Sequence, residues 1–217
     1  RSDRLEKESP YLILGLVISG IISTFFALIA ERILGAFLNR AVEKGTMLYN
    51  LILYFGVVGL SEELAKYALL KKRTWNSSEF NCQYDGVVYA TAVSLGFALW
   101  ENISYVTMYG FGTALVRAVT AVPGHACFGV FMGVFYGLAK GRDYMGDRSL
   151  SKFYSFLSVA VPVLLHGTYD YIASMGSGYD LSWIFIIFVL ILFSVSIFLV
   201  NQMAKNDRYI SRNRRRS

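Results

Sequence analysis

The sequence predicts an all-α fold, a polytopic membrane helical bundle, and three observations carry that expectation. The first is composition: of 217 residues, 55% are hydrophobic and only 17% charged, with a positive mean hydropathy, the balance of a multi-span membrane protein rather than a water-soluble domain. The second is that the apolar residues come in long runs without period-2 alternation. In lipid only helices and closed barrels satisfy their own backbone hydrogen bonds, and barrel strands alternate. The third is that Lys and Arg gather in the short connections between those runs. The formal charge of +6 is explained by that topology. No basic stripe with interleaved aromatics is present, so the expected partner is a lipid bilayer and not nucleic acid.

A span needs roughly 20 predominantly apolar residues. Six stretches meet this: 11–30, 46–70, 87–108, 112–139, 153–173 and 181–200, followed by a basic tail over 201–217. Pro10 stands at the start of the first span, where a helix tolerates proline. The second carries Glu62, Glu63 and Lys66 inside an otherwise apolar helix. Asp85-Gly86 reads as an N-cap for the third. Pro123 lies inside the fourth and is expected to kink it, freeing backbone groups that a polar cavity could use. After His125, Gly129, Gly133, Gly137 and Gly141 recur every four residues, a smooth ridge against which another backbone can pack closely. The first and sixth spans read as apolar packing. Cys82 and Cys127 fall in a loop and inside a span, too far apart in depth to pair, so free thiols are expected, with no Cys-based zinc site. No linker, soluble domain or cleavable signal peptide interrupts 1–217, which reads as a single integral-membrane domain.

Counting basic residues by connection sets the orientation. Seventeen of the 21 Lys and Arg fall on the side of the N-terminal segment, and four (Arg32, Arg40, Lys44 and Arg117) fall on the other. The positive-inside rule makes the richer side cytoplasmic, so both ends of the chain are expected in the cytoplasm.

Ionisable groups inside the spans are few: Glu62, Glu63, Lys66, Glu101, Arg117, His125, His166 and Asp170, with Glu31 and Asp180 at span edges. Both histidines of the chain are among them. A charge at mid-bilayer costs at least ~2.5 to 3.5 kcal/mol on insertion scales, so such groups need a partner, a water-filled cavity or a function. Lys66 lies four residues after Glu62 and three after Glu63, within reach of either along the helix surface. One ammonium cannot neutralise two carboxylates, so the second must take a proton or be matched from another helix. Adjacent helix positions differ by about 100°, so Glu62 and Glu63 cannot face one cavity equally. His166 and Asp170 are four apart, a spacing that lets the carboxylate fix the ring's tautomer.

Four consecutive spans thus each carry an acid or a histidine well inside. A glutamate that accepts a proton from water, with a facing histidine that donates to the developing oxyanion, fits amide hydrolysis in the membrane. The same residue types fit a divalent metal with His nitrogen and Glu oxygen ligands. Spacing alone leaves both open. A proton- or ion-coupled transporter also concentrates such groups, but inverted halves and paired broken helices are not evident. A catalytically inert scaffold is a third class.

Five motifs occur in order: Glu62-Glu63-x-x-Lys66, Tyr84-Asp85-Gly86, Phe97-x-x-x-Glu101-Asn102, His125-x-x-x-Gly129 and His166-Gly167-x-Tyr169-Asp170. With them the chain resembles the PrsW family of bacterial intramembrane proteases, more distantly related to the CAAX prenyl-protein endopeptidases and abortive-infection proteases. The resemblance implies a proteolytic centre of Glu62, Glu63, Glu101, His125 and His166. It implies a bacterial plasma-membrane enzyme that makes the first (site-1) cut in a membrane-anchored anti-sigma factor, leading to release of an extracytoplasmic-function sigma factor under envelope stress. Ser2 to Glu8 looks like the loop after the family's first helix, which implies one further span upstream and seven in the complete protein. Ser9 stands where Glu would be expected beside Pro10, a departure outside the site. The prenyl-protease relatives have Arg after the paired glutamates and His in place of Glu101, so the anti-sigma reading is preferred to CAAX processing.

On this reading Glu62 or Glu63 activates water, Lys66 anchors the pair, and Glu101 and Asn102 position water or substrate. His125 and His166 stabilise the oxyanion or bind metal, and Asp170 orients His166. The cofactor is either none or one divalent metal such as zinc, with Glu63, Glu101, His125 and His166 as the ligands in that case.

Overall fold

The computed structural model describes residues 7–175 and 179–210. Ser2 to Glu6 of the expected loop, Asp180's side chain, most of the turn before the last helix and the tail beyond Ile210 lie outside the described residues. The chain is all-α: α1 (Pro10–Ala41), α2 (Met47–Leu51), a π-helical segment (Ile52–Gly59), α3 (Leu60–Thr74), α4 (Asp85–Tyr109), α5 (Phe111–Val119), α6 (Ala121–Tyr144), α7 (Arg148–Met175) and α8 (Tyr179–Lys205). α2, the π segment and α3 run on as one rod, Met47–Thr74. Among the described residues five segments are long and apolar enough to cross a bilayer: Pro10–Ala41, Met47–Thr74, Phe111–Tyr144, Arg148–Met175 and Trp183–Lys205. α4 has the length, 25 residues, but carries more small and polar side chains because it stands at the centre of the bundle.

Large apolar side chains on the outside, such as Phe25, Phe26 and Ile29 of α1 and Ile187, Leu190 and Ile191 of α8, form surfaces that only lipid covers favourably. The interior is built on small residues. A Cβ on Gly133 would strike the backbone of Gly86 and Val87, and one on Gly137 would strike Gln83, so α4 and α6 meet backbone to backbone along the glycine ridge. α1 is not mere apolar packing: Gly20 lies against the Val93 carbonyl and Gly96 against Val17, which locks α1 to α4 and commits one face of it to the interior. α8 fits the expected role, touching α6 and α7 through a few side chains such as Leu192.

Two local expectations are corrected. The fourth span is broken rather than kinked. The chain leaves α5 at Val119, passes Thr120 (φ −118°, ψ −65°) and starts α6 at Ala121, so Pro123 occupies the first turn, where its missing N–H has no intrahelical acceptor to lose. Asp85 makes no forward cap. Its Oδ2 accepts from the backbone N–H of Asn81 (3.0 Å) and Cys82 (2.7 Å), pinning the preceding loop. Cys82 and Cys127 are free and buried.

The basic connections converge at one end. Lys140 Nζ donates to the Trp75 carbonyl (2.5 Å), Tyr89 OH donates to Glu8 Oε2 (2.7 Å), and Ile210 N–H donates to the Asn81 carbonyl (2.6 Å). The start of α1, the α3–α4 loop, the end of α6 and the chain after α8 therefore share a side.

Candidate active site

The paired glutamates are aimed by the π segment that precedes them. A π turn holds more residues than an α turn, so it resets the phase of everything after it. At its end a Cβ on Gly59 would press on the carbonyls of Tyr54 and Val163. This close approach brings α7, and with it His166, against the start of α3.

Lys66, with no exposed surface, lies at the centre. Its Nζ donates to Glu63 Oε1 (2.7 Å) and to Glu62 Oε2 (3.4 Å), rests 4.0 Å above the Phe97 ring, and reaches His125 Nδ1 at 3.1 Å. An ammonium only donates, so Nδ1 is the accepting nitrogen of His125 and Nε2–H donates to Glu101 Oε2 at 2.9 Å. Glu101 is held in turn by Arg117, 2.8 Å away, whose guanidinium stacks on Tyr105 at 3.7 Å. On the other flank His166 Nδ1–H donates to Glu63 Oε1 (2.8 Å), and its Nε2 stands 3.4 Å from Asp170 Oδ2 and 3.8 Å from Glu62 Oε2. The Phe128 ring stacks on His166 with 4.8 Å between centroids. The partner for the second carboxylate, left open by spacing, is therefore His166 from α7.

The two glutamates differ as their 100° separation requires. Glu62 borders a cavity of about 550 Å³, which Glu63 does not; Glu63 is wholly buried and its Oε2 has no hydrogen-bond partner. The cavity is walled by α1, α4, α6, α7, the π segment and Arg117 of α5, and it also meets Glu101, His125, His166 and Asp170.

Of the residues singled out in the sequence, Glu62, Glu63, Lys66, Glu101, His125, His166 and Asp170 come together. Asn102 does not: its Nδ2 donates to the Ala114 carbonyl (3.3 Å), which ties α4 to α5 behind the site. Arg117 and Glu31 join unforeseen. Arg117 is the lone charge of an otherwise apolar short helix. Glu31 continues a stripe with Thr24 and Ala27 along one face of α1 that lines the cavity; set aside as a span edge, it is seven residues from Thr24 and so on the same face.

One donor atom from each of Glu62, Glu63, His125 and His166 lies within 4.8 Å of the others, and all four residues are buried. Two carboxylates and two imidazoles are a zinc-type donor set. Glu101 is not in that group; it sits on the far ring nitrogen of His125, the place of a carboxylate that orients a histidine ligand. Formally the five carboxylates Glu31, Glu62, Glu63, Glu101 and Asp170 face three permanent cations, Arg32, Lys66 and Arg117. A divalent cation, or protons on the two imidazoles, would balance the remainder. The unpartnered Glu63 Oε2 is a further donor in the cluster. The residues therefore fit a metal, and the Lys66 ammonium marks where positive charge is drawn.

A buried carboxylate and histidine cluster open to a cavity inside a multi-span bundle is the arrangement expected of a membrane-embedded peptidase. Residues 8–198 match the family described as PrsW family intramembrane metalloprotease, and the chain belongs to that family. It is similar to Protease PrsW of Halalkalibacterium halodurans, 36% identical over 80% of this chain and 76% of the relative. It is also similar to Protease PrsW of Bacillus subtilis, 33% identical over 84% and 77%, and to that of Clostridioides difficile, 30% identical over 78% and 76%. No solved structure matches the chain.

Proposed function

We propose that this intramembrane peptidase makes the first cut in a membrane-anchored anti-sigma factor and so leads to release of an extracytoplasmic-function sigma factor. In this reading it does so in the bacterial plasma membrane, with the start of α1 and the chain after α8 on the cytoplasmic side. The observation that carries the reading is the junction of Glu62, Glu63, His125 and His166 at one cavity within the bundle. The walls of that cavity, among them Phe97, Trp100 and Met108, suit a segment of chain in or beside the bilayer. This supports a membrane-anchored protein as substrate.

The proposed division of labour follows from the burial difference. Glu62, at the cavity, takes a proton from the attacking water and returns it to the leaving amine. Glu63 stays fixed between Lys66 and His166 and holds α3 against α7. Arg117 and Glu101 keep His125 with Nδ1 turned to the cluster. His166, with Nδ1–H committed to Glu63, turns Nε2 toward Asp170 and the cavity; protonated there it donates to the oxyanion, and with a metal in the cluster that nitrogen is a ligand instead. Glu63, His125 and His166 would hold a divalent metal and leave Glu62 as the base; the metal when bound would polarise a carbonyl and make bound water more acidic.

The test is cleavage of a purified, single-span anti-sigma factor by the purified protein in nanodiscs, with and without chelator. The reading predicts one cut, its loss in Glu62→Gln, loss on chelation and recovery with zinc. Absence of any cut would refute the substrate, and full activity of metal-free protein would refute the metal. Cleavage of a prenylated CAAX peptide in preference would replace the anti-sigma assignment.

A further inference from the structure

A second polar cavity, of about 260 Å³, lies away from the catalytic cluster, at the end of the bundle where the basic connections meet. It is enclosed by the C-terminal ends of α3 and α6 and the start of α7. Lys71, Arg148 and Lys152 border it with a single acid, Asp143; Trp75 forms a wall, and the buried Ser151 adds a hydroxyl. Among the described residues none of the three cations makes an ion pair; the ion pairs all lie in the catalytic cluster. Lys71 rests 5.0 Å above the Trp75 ring, which holds its ammonium at the cavity wall. Lys140 is already committed to the Trp75 carbonyl. The first turn of α7 is capped by Asp147 Oδ1 on Leu150 N–H (3.1 Å), so the side chains, and not an open helix end, create the positive field.

Three unpaired cations around one concavity leave an excess of positive charge that an anion of two or more oxygens satisfies. Its neighbours argue for the source. Phe156, exposed on α7 one turn past Lys152, presents an apolar surface next to the cavity-lining face, and Trp75 is the residue type that settles at headgroup level. The side is the one that the positive-inside rule assigns to the anionic cytoplasmic leaflet. We infer that Lys71, Arg148 and Lys152 bind the phosphate of an anionic phospholipid headgroup, with the acyl chains laid along Phe156. The site is independent of the peptidase reading.

Native mass spectrometry of the protein released from micelles containing equal phosphatidylglycerol and phosphatidylcholine tests this. The wild type should retain phosphatidylglycerol about tenfold over phosphatidylcholine, given the weight that each basic residue carries beside an anionic headgroup. Arg148→Gln with Lys152→Gln should abolish the preference. Arg40→Gln with Lys44→Gln, which removes the same charge from the opposite side, should keep it. Both double variants alter exposed side chains, and circular dichroism confirms their folding. A parallel titration with inorganic phosphate, and one with an acidic peptide, separates the sources. No lipid preference in the wild type, a preference that survives Arg148→Gln with Lys152→Gln, or binding of phosphate or peptide without phosphatidylglycerol would each overturn the assignment.

Discussion

The two halves of α6 make opposite use of the same helix. From Ala121 to Phe128 it begins at a helix break, offers His125 to Lys66 and Glu101, and borders the large cavity. From Gly129 to Gly141 it offers no acid or histidine, and its glycines press on α4 and on Gln83 just before it. The first half is held by polar contacts from His125 to α3 and α4 and keeps space beside it. The second half packs its glycines directly on neighbouring backbone, with Tyr136 and Lys140 adding hydrogen bonds to Thr74 and Trp75. The difference teaches that the bundle is closed at one end so that the other can enclose a wet, charged cluster without collapsing onto it.

The comparison can be broken first at the charged end. Glu63→Gln removes a carboxylate that both Lys66 and His166 bond. Breaking a buried pair costs about 3–5 kcal/mol, so unfolding in mixed micelles should shift by that amount and cleavage should fall with it; a stable, active variant would mean that the cluster is not what joins α3 to α7. At the closed end, Gly137→Val forces a side chain into the Gln83 backbone. A loss of about 1–3 kcal/mol or more is expected from such overpacking, read as poor accumulation and a lowered thermal midpoint. Arg117→Gln leaves Glu101 without its cation. The expected outcome is a kcat about tenfold lower, ~1.4 kcal/mol of barrier, with KM and thermal midpoint little changed, because Arg117 acts through Glu101 and His125. The smallest effect is expected at Tyr136→Phe. Thr74 gives its hydroxyl proton to the Leu70 carbonyl and so accepts from Tyr136 OH at 2.8 Å. Losing that bond should cost about 1 kcal/mol and leave cleavage untouched.

How much of this was legible in the sequence follows from what each signal depends on. The bundle was readable because a span must be apolar over its whole length, whatever surrounds it. The glycine ridge was readable for a similar reason, a strict repeat along one helix. Lys66 with its two glutamates, and His166 with Asp170, were readable because i, i+3 and i, i+4 spacings fix neighbours within a helix. Contacts between helices were not. Nothing in spacing says that Glu63 takes His166 while Glu101 takes His125, nor that Arg117 closes the chain of contacts. Asn102 followed Glu101 in sequence and was grouped with it, yet one residue along a helix turns a side chain by about 100°, and it serves α5 instead. Glu31 lies at a span edge, where a charge ordinarily reaches the headgroups, and only the packing of α1 turns it to the cavity. The break before Pro123 was misplaced because proline marks a disruption without saying whether the helix bends through it or restarts just before it.

The central claim is that Glu62 does the chemistry and Glu63 holds the frame. It is tested most directly by measuring, for Glu62→Gln, the single-turnover cleavage rate of a single-span substrate together with the thermal midpoint in the same nanodiscs. The account predicts a rate at least about 10³-fold lower, ~4 kcal/mol of barrier, with a midpoint close to that of the wild type. A Glu62→Gln protein that cleaves at the wild-type rate, or one whose lost activity is matched by a fall in stability like that of Glu63→Gln, would contradict it.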